Sequence, residues 1–374
     1  MPDPRRLDRR RGHIRPRSRS TRAWCLLGVA LVGCAAERTA NLPEVELSPR
    51  TRPAVAWAGD GAFVFGGTTP DRPDPGTFEE VFLADGAVVA PGSARGPAIP
   101  EPPFDGRLNH VQAAMVDGDV VLTGVVCVEA ADVDGADLDC RPPGRLVVGE
   151  YDPDDGSWRA IDPPDDVGGP GTVWSDLTAA GDGFVVLRAS EPRRTLLVLE
   201  VDTGEWRLVD EPLATTRSGC IEQGSLVTVA SDRRLSLLDL ADTDAAAVRT
   251  AEAPLSLAPG PPAPVVTCTG DGVVVTQVAG DLAAAAYDPA ADRWGPVSAP
   301  DVGSSTFVDT SFWTGDEIVL VDGGNADRSA LALDPATGAW RALTPPPVAL
   351  GGGVWGEEAV VVWDGDALVA YDPG

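Results

Sequence analysis

The 374-residue chain carries 57 acidic against 29 basic side chains, a formal net charge of −28; so acidic a surface repels phosphate backbones and anionic headgroups, which excludes nucleic acid as a partner. With 42 Gly and 35 Pro, the composition excludes a mainly helical fold and suits many short strands joined by tight turns. Hydrophobic residues make up 43% of the chain, enough for the core of one large repeat fold or of two ordinary domains.

Residues 1–22 are polar and Arg-rich, and Ala23–Gly33 (AWCLLGVALVG) is an apolar run of 11 residues. That run is too short to span a bilayer as a helix but has the length of a signal-peptide apolar region. It ends in Leu31-Val32-Gly33-Cys34, which resembles the bacterial lipobox. The resemblance implies cleavage before Cys34 and a lipid, palmitate included, on the new N-terminal cysteine. Residues 1–33 therefore read as a lipoprotein signal peptide, 34–42 as a tether and 43–374 as the folded domain. The expected place is the extracytoplasmic side of the cell membrane, held by the lipid anchor alone.

From residue 53 onward one pattern recurs: a small turn, often Gly-Asp-Gly, then a β-branched run of strand length. The first unit has Gly59-Asp60-Gly61 before AFVFGG and a bare Asp85-Gly86 turn later. The second has Asp117-Gly118-Asp119 before VVLTG, then Tyr151-Asp152-Pro153 and Trp158. Between Cys127 and Cys140 it carries an acidic insertion in which Asp132, Asp134, Asp137 and Asp139 alternate around Gly135. Several oxygens on a flexible backbone suit Ca²⁺, although the order departs from an EF-hand; a solvated acidic loop is the favoured reading, and no other cofactor is expected. The third unit has Gly181-Asp182-Gly183 and Leu199-Glu200 before Trp206; the fourth has Gly224 and Leu238-Asp239 without a Trp. The fifth and sixth have Gly270-Asp271-Gly272 with Tyr287-Asp288-Pro289 and Trp294, and Gly315-Asp316-Glu317 with Leu333-Asp334-Pro335 and Trp340. The seventh has Gly356-Glu357-Glu358 and Tyr371-Asp372-Pro373.

In the four complete copies the acid precedes the Trp by six residues, the spacing of a strand, a turn and an outer strand that opens on an aromatic. This block, with Gly66-Gly67 and Gly323-Gly324 after second strands, resembles the kelch repeat and the propeller of galactose-oxidase-like proteins. Arg107, His110 and Ala113 ahead of Val120-Val121 resemble that family's first-strand opening. The resemblance implies an all-β, seven-bladed kelch-like β-propeller over about 43–374; the irregular first, fourth and last units leave the count open to six or eight. Val45-Glu46-Leu47-Ser48-Pro49 shares the apolar-x-Pro ending of Leu343-Thr344-Pro345, so this N-terminal strand is expected to complete the last blade and close the ring.

Four cysteines remain after Cys25 and Cys34. Cys127 and Cys140 bracket the insertion and could staple its base. Cys220 and Cys268 stand at similar places in the first strands of neighbouring blades, where a bridge is geometrically reasonable, and export favours both disulfides. No CxxC pair supports zinc.

The resemblance that suggests the fold argues against its best-known enzyme. Copper-radical oxidation needs His and Tyr ligands. His110 is the only histidine outside the signal segment, and Tyr151, Tyr287 and Tyr371 are all repeat positions. Ser-His-Asp catalysis falls for the same want of a base. Carboxylate-pair chemistry has acids in abundance but no pair that stands out. Trp158, Trp206, Trp294 and Trp340 are expected to pack between blades. Trp57, Trp174, Trp313 and Trp355 lie in first strands, where an exposed indole could stack a sugar or a peptide. The expected function is a monomeric, non-catalytic binding propeller that holds a peptide, glycan or partner protein through loops on one face, near 68–80, 91–106 and 128–144. The alternative is a secreted hydrolase or lyase acting on cell-envelope glycans through an acidic site.

Overall fold

The computed structural model describes residues 42–374 except 70–81, 107, 128–143, 165–166, 168–172, 192–194, 211–218, 231–233, 243–247, 256–263, 278–280, 301–309, 322–328 and 351. The described elements are β-strands throughout. After a short β1 (Glu44–Glu46), the strands β2 (Ala54–Trp57), β3 (Ala62–Phe65) and β4 (Gly86–Val89) form the first antiparallel sheet, with β5 (Arg95–Pro97) beyond it. Four-stranded sheets follow as β6–β9 (Leu108–Val116, Asp119–Cys127, Gly144–Asp152, Ser157–Ile161) and β10–β13 (Val173–Gly181, Phe184–Glu191, Thr195–Glu200, Glu205–Asp210). Next come β14–β17 (Gly219–Glu222, Ser225–Val229, Arg234–Asp239, Arg249–Glu252) and β18–β21 (Val265–Cys268, Val273–Gln277, Ala283–Asp288, Arg293–Trp294). The last two sheets are β22–β25 (Thr310–Trp313, Ile318–Val321, Ala330–Asp334, Ala339–Ala342) and β26–β28 (Val354–Trp355, Val360–Trp363, Leu368–Tyr371).

The first strands β2, β6, β10, β14, β18, β22 and β26 each neighbour the next, and β26 returns to β2. The chain is a closed seven-bladed β-propeller. The second strands are buried on both faces, which is why they read as continuous apolar runs rather than alternating ones. Phe63, Phe65, Val120, Leu122 and Tyr151 form one inter-blade core, and equivalent cores recur around the ring.

The repeated Trp packs at these seams. The Trp158 ring lies 5.1 Å from Tyr151 and its Nε1 donates to Pro100 O at 2.8 Å in the preceding blade. Trp340 Nε1 donates likewise to Ser298 Oγ at 3.2 Å. The acid six residues earlier holds the hairpin: Asp152, Asp288 and Asp334 each accept, through Oδ1, the N–H groups two and three residues on. Gly156 and Gly338 close these turns at φ near +72 (71 and 72), the left-handed conformation that a glycine takes without strain. The Tyr-Asp-Pro … Trp block is thus a turn and a wedge, made for construction rather than chemistry.

Two expectations of the sequence need correction. Strand β1 does not complete the last blade. It pairs antiparallel with β5, Glu44 opposite Pro97 and Glu46 opposite Arg95, where Arg95 and Glu46 also form an ion pair. The apolar-x-Pro pattern fits any open sheet edge, and the edge of β5 is the one presented. The segment nevertheless seals the ring, because Leu47 is buried in a core shared by the first and last blades, with Val64, Val89, Val361 and Leu368. The outward edge of β28 is met by the first blade instead: Gly92 N donates to Leu368 O at 2.8 Å and Leu368 N to Ser93 O at 3.0 Å. Secondly, Asp85-Gly86 does not end the third strand of the first unit. It begins that strand, because Asp85 is held by Arg50 Nη2 at 3.0 Å and a side chain at position 86 would strike Val64 O at 2.7 Å.

Candidate functional site

The hairpins joining the first two strands of each blade emerge at one end of the ring, and those of blades three, four and five touch one another there. Non-glycine residues stand at positive φ there, Asp117 at 51, Asp182 at 49 and Gln223 at 50; Asn and Asp tolerate that conformation best, because the short polar side chain can hydrogen-bond locally. The side chain then reaches the next blade. Asp182 Oδ2 accepts from Gly224 N at 2.9 Å, and Glu222 Oε2 accepts from Gly270 N at 3.0 Å. In blade three the acid of the Gly-Asp-Gly turn is thus a latch to the following turn; in blade four, whose turn reads Glu222-Gln223-Gly224, the last residue of β14 takes that part.

Glu222 is the latch with a cost. It is 3% exposed, and its Oε1 is a buried atom without a hydrogen-bond partner among the described residues. Burial pushes its carboxyl above the ordinary 4.5, the N–H groups of Gly270 and Thr269 pull the other way, and the charges of Asp182 and Asp271 add to the rise. The folded state therefore holds this proton at pH values where the unfolded chain has released it. Stability from this group is present below about pH 4.5 and is lost as pH rises through the folded value. A Glu222→Gln variant is expected to be more stable than the parent at pH 7 and to melt with it at pH 4. Urea melts across that range check it; parallel curves at every pH would remove Glu222 as the cause.

Blades five and six depart from the latch pattern. Their turns read Thr269-Gly270-Asp271-Gly272 and Thr314-Gly315-Asp316-Glu317. Both threonines fasten their own turn: Thr269 Oγ1 donates to Gly272 O at 3.0 Å, and Thr314 Oγ1 donates to Glu317 O at 3.1 Å while accepting from Glu317 N at 3.0 Å. Asp271 and Asp316 at the tips are exposed, and neither carboxylate accepts a hydrogen bond among the described residues. Between these two turns runs a groove of about 470 Å³, walled by Trp313 and bordered by Asp271, Asp288, Asp316, Tyr287 and Arg293.

The strand that backs the groove is fixed, because the Tyr287 side chain is packed on its other face, in the core between blades four and five. Tyr287 is 2% exposed, its ring lies 4.9 Å from Trp294, and its hydroxyl donates to Asp292 Oδ1 at 2.5 Å. Burial first, and that hydrogen bond second, push its pKa up to about 12, so the phenol stays neutral at any physiological pH. Asp288 has Oδ1 engaged by Ala290 N and Ala291 N, both at 2.9 Å. The groove itself presents the Trp313 indole and the carboxylates of Asp271 and Asp316 on fixed turns, a set suited to binding a ligand.

Of the residues singled out in the sequence, Cys220 and Cys268 are bonded across blades four and five, with their Cα atoms 5.8 Å apart. Trp313 is half-buried on the groove and Trp57 half-buried between the first and last blades, against Gly356. Trp355 is half-buried on β26 and Trp174 lies on β10. His110 is exposed at φ 49, in a bulge where the register of β6 slips between Asn109 and Gln112. It borders a crevice of about 10 Å³, room for one water and no larger ligand. Cys34, Cys140 and the calcium candidates Asp132, Asp134, Asp137 and Asp139 lie outside the described residues, as does the side chain of Cys127 at the end of β7. Segments 70–80 and 128–143 lie outside them too. Segment 91–106 is described, and it is engaged in construction, backing Trp158 and the edge of β28. The signal that would have found the groove is small: among the seven hairpins, only two neighbouring ones place Thr before Gly-Asp.

No protein-family model matches the chain, and no curated protein sequence matches it. Solved structures do, 1030 chains of them. One is a chain of "Crystal Structure of Mitotic Checkpoint Complex", similar at TM-score 0.54 and 10% identity over 93% of this chain and 99% of that one. So distant a likeness shows the fold alone, and the propeller is a fold that hosts many functions.

Proposed function

We propose that the chain is a non-catalytic binding propeller of kelch type, exported, lipid-anchored through Cys34 on the extracytoplasmic side of the cell membrane, and built to hold a partner protein in the groove between blades five and six. The observation that carries the binding reading is the contrast among the hairpin acids. Asp182 and Glu222 are engaged by the neighbouring blade, whereas Asp271 and Asp316 are held out beside Trp313 on turns stiffened by their own threonines. The similar solved chain comes from a complex, the mitotic checkpoint complex, which agrees with a protein partner. The lipobox-like Leu31-Val32-Gly33-Cys34 after its apolar run supports the anchor.

The test uses the chain from residue 35 onward, immobilised and exposed to envelope extract, beside an Asp271→Arg/Asp316→Arg variant shown to melt at the parent temperature. A partner retained by the parent and lost by the variant is the expected result. Equal retention by both would overturn the groove, and turnover of envelope glycans by the purified chain would overturn the non-catalytic reading. Replacement of Cys34 by Ala is expected to shift the protein from the membrane to the soluble fraction of its host.

A further inference from the structure

We infer that the blade five–six groove recognises a cationic side chain, an Arg or Lys presented by an extended segment of the partner; this rests on the groove being the binding site. Three features of the lining agree on that chemistry. Trp313 offers an indole face, the best aromatic partner for a cation. Asp271 and Asp316 flank it from the two adjacent turns, exposed and without hydrogen bonds among the described residues, and the lining holds three Asp against one Arg. A planar guanidinium can stack on the indole and meet a carboxylate on each side at once, a combination that Arg offers better than Lys.

The mounting of the carboxylates sharpens the case. An exposed acid on a mobile side chain holds a cation weakly, because ordering both partners costs entropy. Here both backbones are fixed beforehand: Thr269 N and Oγ1 both donate to Gly272 O, Thr314 N and Oγ1 both donate to Glu317 O, and Gly270 N is held by Glu222. Arg293, on the blade-five wall, marks where a carbonyl or carboxylate of the same segment would sit, one step along from the cation. The net charge of −28 draws a basic segment toward the surface, which raises the association rate more than the affinity.

The experiment titrates the chain from residue 35 onward into a fluorescein-labelled acetyl-Ala-Arg-Ala-Ala-amide, with the Lys and norleucine analogues alongside, and reads anisotropy. The Arg peptide is expected to bind tightest, the Lys peptide several-fold weaker and the norleucine peptide not at all. Asp271→Asn/Asp316→Asn is expected to weaken the Arg peptide by about tenfold. Asp60→Asn/Asp366→Asn, which removes the same charge from exposed turns elsewhere, should leave it unchanged. Equal loss in both double variants would reduce the effect to bulk charge and overturn the proposal, as would equal binding of Arg and norleucine peptides. Where the peptide fails but the partner still depends on Asp271 and Asp316, the groove stands and its cationic specificity falls; where both fail, the groove itself falls.

Discussion

Replacing Arg50 by Met is expected to cost about 3 kcal/mol of stability, a fall of roughly 4 °C in Tm for a domain of this size. Arg50 is fully buried, and its guanidinium is the knot where the ring closes. Nε donates to Ser48 O at 3.0 Å, Nη1 to Gly66 O and Asp85 O, both at 3.1 Å, and Nη2 to Asp85 Oδ2 at 3.0 Å. Its own N–H donates to Gly365 O at 2.8 Å in the last blade. Replacing a whole buried ionic network by apolar groups is often neutral. That escape is closed here, because most of the acceptors are main-chain carbonyls that no substitution removes, and each keeps its desolvation penalty. The carboxylate partner contributes less: the Asp85 side chain is 56% exposed, so Asp85→Asn is expected to cost under about 1 kcal/mol. Arg50→Lys should recover less than half of the loss, since one ammonium cannot reach acceptors spread across a fork. Thermal melts of the three variants decide the matter, and a Met variant that melts with the parent would remove Arg50 from the closure.

The blades were readable in the sequence and the knot was not, for a physical reason. A hairpin that needs positive φ restricts its residues to a few types, so Gly-Asp-Gly repeats wherever the chain must turn. A Trp wedge six residues after a turn-capping acid is equally local. Arg50, by contrast, acts through carbonyls 16 and 35 residues away, and carbonyls belong to every residue, so no pattern marks it among 29 basic side chains. Strand β1 was misplaced for the related reason that backbone pairing has no sequence code: Val45 and Leu47 announce a buried face, and only the geometry of the seam decides which edge they join. The groove lies between these cases. Its Thr-Gly-Asp pair is local and visible, but only the contrast with the latched Asp182 and Glu222 gives it meaning, and that contrast is tertiary.

Removing the Cys220–Cys268 bridge by a double Ser substitution is expected to cost about 4 kcal/mol, the chain-entropy value for a closed loop of 48 residues, with Tm lower by roughly 6 °C. The bridge joins first strands that neighbour each other in any case, so its action is mainly on the unfolded chain, and urea melts of the reduced parent should match those of the variant. A second readout separates this global effect from a local one. The same seam holds Glu222 Oε2 on Gly270 N and Gln223 Nε2 on Gly270 O, which together pin the turn that carries Asp271. If the disulfide also keeps that seam closed, hydrogen exchange at the Gly270 amide should quicken in the variant while the amides of Val319 and Leu320, in the next blade, keep their rates. Blade five would then be clamped to blade four on one side and open to a ligand on the other, an asymmetry that lets a rigid repeat carry a binding groove at one seam without loosening the ring. Uniform acceleration at all three amides would instead mean that the bridge contributes only to overall stability, and the groove would owe its shape to Glu222, Thr269 and Thr314 alone.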